Sequence, residues 1–404
     1  MAFFVTLYIT RTLDLEAAGY LLFLLNTMLL FSNFFLLGCE PKFIKCSAVS
    51  VTNEGYREEL NKYLSMILFV LTVASLIALI SYLFTHKLDL IVYYQAFILS
   101  FLLVVIKVFT SFFIGKGRLN LSVLLESLVH NLFFLLATYL CVSFGLFEAS
   151  ITNFYYALLI GLLISLGLSF LINVSKLNFK LNISMKKALV ELNSKSVRDY
   201  TSIMLITLVA TFFPIQFGKT VLNVEQIALI LVSVRIASLI RTPYIVLNAL
   251  HSPLYAKYIK ENNYKELKLK LSKDGKVHIF SSLACTVTIL FCGEKILHLF
   301  GGEYVDAGKY LTIVILGQFI FCSLGPVGAV MLMSGQEKIV RSKLFLNALI
   351  NLPISIGLIS FLDGFGVCIS ILLFMAGQNL LLLTSFERLF KYSYLKTVLK
   401  SEMK

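Results

Sequence analysis

The sequence predicts an all-α, polytopic membrane protein: two six-helix bundles around a central cavity, with the first helix apparently truncated. Three observations carry that expectation. Of 404 residues, 58% are apolar and only 14% charged, against roughly a quarter charged in a water-soluble domain. Apolar runs of about 20 residues, enough to cross about 30 Å of hydrocarbon, recur along the whole chain. Lysine and arginine gather in every second gap between those runs, the bias that marks cytoplasmic loops.

A stub comes first. Residues 1–10 are apolar, but about ten helical residues reach only about 15 Å, half a membrane. Either the helix starts upstream of Met1, which is preferred, or a half-helix packs inside the bundle. About eleven full spans follow, near 17–38, 63–84, 91–114, 119–144, 151–174, 200–217, 224–250, 277–300, 310–334, 344–362 and 367–386. They are continuously apolar rather than alternating, which excludes barrel strands. Helix is then the closed structure that lipid permits.

With the stub counted as the first span, basic residues collect after the second (Lys42, Lys45, Arg57, Lys62) and the fourth (Lys116, Arg118). They do so again after the sixth (Lys176 to Arg198), the eighth (Lys257 to Lys276) and the tenth (Lys338, Arg341, Lys343), and in the tail from Arg388. The opposite loops hold Arg11, Lys87, Lys219, Lys295 and Lys309, so roughly 27 cations stand against about 5. Both termini are expected in the cytoplasm.

The expected division is an N-terminal bundle 1–174, a basic cytoplasmic linker 175–199, a C-terminal bundle 200–388 and a basic cytoplasmic tail 389–404. Six helices per half leave the halves oriented alike, related by an axis along the membrane normal, with a cavity between them. The other long gap, 251–276, sets Tyr258, Ile259, Tyr264, Leu267, Leu269 and Leu271 among seven lysines. It reads as an amphipathic helix at the lipid surface. No gap is long enough for a folded soluble domain.

The net charge of +13 does not indicate nucleic acid, because the cations are scattered over short loops, where they meet anionic headgroups. Seven cysteines have no metal or redox spacing and read as small buried residues. No metal or other cofactor is expected. Zinc-protease, nucleophile-elbow and phosphate-loop signatures are absent from the sequence, so an enzyme is not expected.

Charges deep in a span cost about 2.5 to 3.5 kcal/mol each and persist where a partner or wet cavity offsets them. Arg235 and Arg241 lie in span 224–250, Lys107 in 91–114, and Glu126 with His130 in 119–144. Arg235 is more than two turns from either end of its span, too deep to reach the interface easily by snorkelling. It is expected to line a cavity, the alternative being a structural pair with Glu126. For Arg241, beside the helix-bending Pro243, cavity and structure are even. Lys107 is either a cavity cation or snorkels to the headgroups. Glu126 and His130, four apart on one face, suit a proton-carrying pair or polar glue between helices. Gly317, Gln318, Gly325, Pro326 and Gly328 weaken span 310–334 and would serve gating or close packing. Asn347, Asn351, Gln378 and Asn379 suit either a sugar or interhelical hydrogen bonds.

Longer patterns add to this. An Arg followed by two prolines (Arg235, Pro243, Pro253) leads into AKYIKENNYKEL. FGGEYVDAGKYL (300–311) and LGQFIFCSLGPVGAVMLMSGQEK (316–338) follow, and TRTLDLEAAGY (10–20) opens the chain's first outer loop. Through these stretches the sequence resembles the polysaccharide-transporter or O-antigen flippase family, whose superfamily also holds multidrug extruders and lipid II flippases. It departs from that family in its clipped first helix and divergent middle.

The resemblance implies a bacterial inner-membrane protein moving an undecaprenyl-diphosphate-linked oligosaccharide outward, alongside a glycan polymerase and chain-length proteins. Arg235, Arg241 and Lys107 would then attract the cargo's diphosphate or acidic sugars. A multidrug or cation extruder is the nearest rival and would want carboxylates where this chain offers arginines. A membrane glycan polymerase would need larger outward loops.

Overall fold

The computed structural model describes residues 2–49, 53–85, 91–144, 150–177, 184–390 and 393–394. Lys87 and the basic tail beyond Tyr394 lie outside the described residues. Within the described residues all regular elements are helical, and ten segments are long and apolar enough to cross a membrane. The chain divides into two compact units, Met1–Leu205 and Ile206–Lys404.

In the first unit, α1 (Ala2–Thr12) is the short opening helix. Asp14 caps α2 (Leu15–Phe35), accepting from the Ala17 backbone N–H at 3.2 Å, and Glu16 adds negative charge to its first turn. α3 (Glu40–Val49), α4 (Asn53–Thr85) and α5 (Ile91–Gly115) follow. α6 (Leu119–Val123) passes into a π-helical turn, Leu124–Val129, before α7 (His130–Ser143). In that turn the Leu125 carbonyl accepts from the Ser165 hydroxyl of α8 (Ile151–Leu177). Phe43, Tyr63 and Phe112 are fully buried together, with ring centroids 4.6 Å apart for the first two. Between helices in lipid such packing acts by dispersion rather than by expelling water.

The expected linker 175–199 is more helical than a connector. α9 (Met185–Leu192) occupies part of it, and α10 (Lys195–Val221) begins within it, where the Ser194 hydroxyl accepts from the Val197 N–H at 3.3 Å. The boundary between the two units falls inside α10.

In the second unit, Asn223 caps α11 (Val224–Ala237), its side-chain oxygen 2.8 Å from the Gln226 nitrogen. The span then passes through a 3-10 turn, Ser238–Ile240, into α12 (Arg241–Lys260). Pro243, which cannot donate to the ladder, sits in the first turn of α12, where a missing N–H does no harm.

The surface helix expected over 251–276 is not what forms. α12 runs on to Lys260, and α13 (Tyr264–Phe300) starts four residues later. Asn262 takes the left-handed turn (φ 54°) and the Asn263 side chain caps the new helix. Leu267 and Leu271 are buried while Tyr264 and Leu269 are exposed. These residues therefore extend two spans instead of lying flat.

Span 310–334 breaks into α14 (Gly308–Ser323) and α15 (Val327–Met333). Gly325 adopts φ +68°, a conformation strained for other residues, and a Cβ there would collide with the Tyr394 hydroxyl. Pro326 then starts α15. α16 (Glu337–Phe390) is two antiparallel arms, 337–362 and 364–390, turning at Asp363 (φ 49°, ψ −127°). Gly317 of α14 lets the Leu372 backbone of the second arm approach to 2.9 Å of where a Cβ would stand.

Candidate functional site: charged groups inside the spans

Each unit carries its own intramembrane charges. In the first, Lys107 projects from the middle of α5. Its Nζ donates to Asn33 Oδ1 of α2 at 3.1 Å and stands 3.8 Å from Glu40 Oε1 of α3. Glu126 lies in the π turn, where its Oε2 accepts from the Thr110 hydroxyl of α5 at 3.0 Å, one turn beyond Lys107. π turns interrupt the regular ladder and recur at functional sites. Four helical segments thus converge on one lysine flanked by two carboxylates.

His130 starts the next helix but does not join that network, and its Nδ1 is buried without a hydrogen-bond partner among the described residues. The structure therefore gives Glu126 to Lys107 and Thr110, and gives His130 no bond to Glu126.

A second cluster in this unit escaped sequence reading. Glu191 of α9 is buried between Lys42 of α3, which bonds its Oε1, and Lys62 of α4, 2.7 Å from its Oε2. Lys42 also reaches the Ser194 hydroxyl at 3.2 Å. Burial alone would raise the Glu191 carboxyl, but hydrogen bonds and charge from the two lysines outweigh it and hold it below the ordinary carboxylate range. Beside it, burial pushes the Cys39 thiol up to about 12, so that cysteine stays neutral and inert. Only the helical periodicity of 185–192 could have signalled the cluster.

In the second unit, Arg235 occupies the last turn of α11, half-buried, where a cation suits the helix's negative end. No carboxylate pairs with it among the described residues; the expected alternative partner, Glu126, belongs to the network around Lys107. Arg241 lies near the midpoint of the 37-residue segment Val224–Lys260. Its guanidinium carbon is 5.1 Å from the centre of the Phe321 ring, a cation–π contact, and its Nε has no hydrogen-bond partner among the described residues.

Gln318 is buried in α14 with its side-chain oxygen also unsatisfied. Asn351 donates to the Asn347 carbonyl at 3.0 Å and to its side-chain oxygen at 2.8 Å. Asn347 in turn donates to the Phe374 carbonyl at 3.1 Å, bridging the two arms of α16. Asn379 donates to the Phe321 carbonyl of α14 at 2.7 Å. Asn347 and Asn379 thus bond between helical segments, one of their two expected uses, whereas both bonds of Asn351 stay within its own arm.

Comparison with known proteins adds the following. A family model described as polysaccharide biosynthesis protein matches residues 1–215. No curated protein matches the chain. Among solved structures, an inward-facing multidrug resistance MATE family transporter of the MOP superfamily superposes with a TM-score of 0.74 at 15% identity, covering 98% of this chain and 95% of that one. An outward-facing structure of such a transporter gives 0.65 at 14%, over 98% and 92%. A MOP superfamily transporter from Pyrococcus furiosus, described as having a binding pocket of reversed polarity, gives 0.64 at 14%, over 96% and 90%.

Proposed function

Because the chain belongs to the polysaccharide biosynthesis protein family and has the fold of MOP-superfamily transporters, we propose that it is a lipid-linked oligosaccharide flippase. Its cargo would be an undecaprenyl-diphosphate-linked O-antigen or capsule-type repeat unit, carried from the cytoplasmic to the outer leaflet of a bacterial inner membrane. The route is alternating access: diphosphate and sugars enter a cleft open to the cytoplasm while the lipid tail stays in the bilayer. Both termini then face the cytoplasm, beside the basic loops. A glycan polymerase and chain-length proteins would take over the exported unit.

Arg235 is the observation that carries this reading. A guanidinium without a carboxylate partner, well inside an apolar span, is costly unless an anion or water reaches it. A diphosphate suits its planar fork. Arg241 supplies a second cation six residues on, held over Phe321. Lys107 enters more weakly, since Asn33 and Glu40 already engage it.

The membrane potential favours the same cargo. It contributes about 2.3 kcal/mol per charge per 100 mV, so two negative charges leaving a negative interior gain about 4 to 5 kcal/mol. A multidrug extruder of cationic compounds would need free carboxylates in its spans, whereas Glu126 is bonded to Thr110.

The test is Arg235→Glu with surface glycan measured in cells holding equal amounts of protein, followed by purified protein in vesicles containing lipid-linked glycan. Loss of export in both is expected. Unchanged export would refute an anion-binding role.

A further inference from the structure

Between α12 and α13 the second unit reverses the usual logic of a membrane helix pair. The lipid-facing side of α13 is apolar: Val277, Phe280, Leu283, Val287, Leu290 and Phe291 are all exposed. Its buried side from Asp274 to Thr286 contains Gly275, His278 and Ser282, and no apolar side chain larger than hydrogen. α12 answers with Arg241, Tyr244, Asn248, His251 and Tyr255, spaced three and four apart and so on one face. A polar seam about three turns long runs through the interior of two spans.

Asp274 anchors one end of it. The carboxylate is 3% exposed and accepts from the Tyr255 hydroxyl at 2.6 Å, with Lys270 Nζ at 3.1 Å and His251 Nδ1 at 3.1 Å. One helical turn further, on the same face of α13, stands His278. It is 1% exposed, its ring is 5.2 Å from that of Tyr244, and neither ring nitrogen has a hydrogen-bond partner among the described residues. Asn248 Oδ1 and Thr286 Oγ1 are likewise unsatisfied. A buried imidazole with both nitrogens unbonded forgoes about 1 to 3 kcal/mol per group, so a row of such groups in a low dielectric needs an occupant.

We propose that this seam is a proton-binding site, in which His278 takes up a proton and the imidazolium is held by Asp274 one turn away. Imidazole is the side chain whose charge changes near physiological pH. Protonation converts an unsatisfied acceptor nitrogen into a second donor and adds one positive charge one turn from the Asp274 carboxyl.

Other ionisable groups set the balance. From α12 these are Arg241, Tyr244, His251 and Tyr255; from α13, Lys270 and Cys285; from α14, Cys322, with Tyr394 beyond Tyr255. The 3-10 turn Ser238–Ile240 and α15 contribute none, and the acids of Gly302–Ala307 lie beyond the opposite end of α13. Asp274 is thus the carboxylate placed to hold the new charge. Use of that proton to drive cargo rests on the flippase reading; proton binding does not.

The experiment is nuclear magnetic resonance of histidine-labelled protein in nanodiscs of phosphatidylethanolamine and phosphatidylglycerol. The chain has five histidines, and H278Q identifies the signal in question. That signal is expected to pass from neutral to imidazolium as the pH is lowered. In D274N its midpoint should fall by about one unit, a tenfold loss of proton affinity, and in K270M it should rise. H298Q should change neither. If H278Q fails to fold, the background H86Q/H130Q/H298Q leaves two ring signals, and adding H251Q leaves His278 alone. An imidazole that stays neutral until the protein unfolds in acid, a midpoint unmoved by both D274N and K270M, or titration by His251 alone would overturn the proposal.

Discussion

The two units surround their buried cations differently. In the first, Lys107 lies between Asn33 and Glu40, Glu126 is bonded to Thr110, and Glu191 is held by two lysines. In the second, among the described residues, Arg235 has no carboxylate partner, Arg241 Nε is unbonded, and His278 has neither nitrogen satisfied. Buried charges that are paired read as architecture, since losing one partner is costly while the pair itself contributes little. Charges left open are fit to meet something that comes and goes. The contrast fits a structural role for Lys107 and Glu191, as for the paired Asp274 of the second unit, and the ligand contact proposed for Arg235 and Arg241.

Charge reversal should break that contrast most sharply. Arg235→Glu is expected to reduce glycan export more than tenfold at constant protein level, because one attraction becomes a repulsion in low dielectric. Arg235→Lys should retain part of the activity if a point charge suffices, and little if the planar fork is needed. Equal export by both variants and the parent would erase the distinction between the units.

Lys107→Met should act on stability instead. Glu40 would lose its partner and Asn33 its donor, at about 1 to 3 kcal/mol, read as a lower Tm in detergent. The double change Lys107→Met with Glu40→Gln should recover part of that loss. An export defect without a Tm change would move Lys107 to the ligand side of the comparison.

Glu191 offers a test by pH. Its carboxyl is held below the ordinary range, so its contribution is complete above the unfolded-state pKa and is lost as pH falls through the folded-state value. Docking of α9 should therefore loosen in acid, seen as faster hydrogen exchange over 185–192. Glu191→Gln should show that faster exchange already at neutral pH. The smallest effect is expected of Asn379→Leu, which loses the bond to the Phe321 carbonyl of α14, about 0.6 kcal/mol of stability, the average for interhelical hydrogen bonds in lipid, with export unchanged. A strong export defect there would favour sugar contact over helix bridging.

Much of the scaffold was legible because lipid restricts what a chain can do. Long apolar runs had to become helices, and Pro243, Gly325 and Pro326 had to disturb them. The stretch 251–276 was misjudged because its lysines disguise a continuous helical face: Leu267, Leu271, Asp274 and His278 already carry the spacing of α13. Seven lysines suggested a wet surface, yet long stems let such residues lie beside a span while their charges stay outside it. Asp274 and His278 were consequently overlooked.

Composition and charge bias by themselves determined that this is a many-helix membrane protein with its cations gathered in alternate loops, since hydrocarbon sets span length and satisfies no backbone group. They also located Arg235, Arg241, Lys107 and Glu126 as the costly residues. Which of those charges are paired was decided only by the fold. Glu40 reaches Lys107 from a separate helix 67 positions away in the chain, and Lys42 reaches Glu191 across 149. Contacts between distant segments depend on how helices pack, and no local pattern records that.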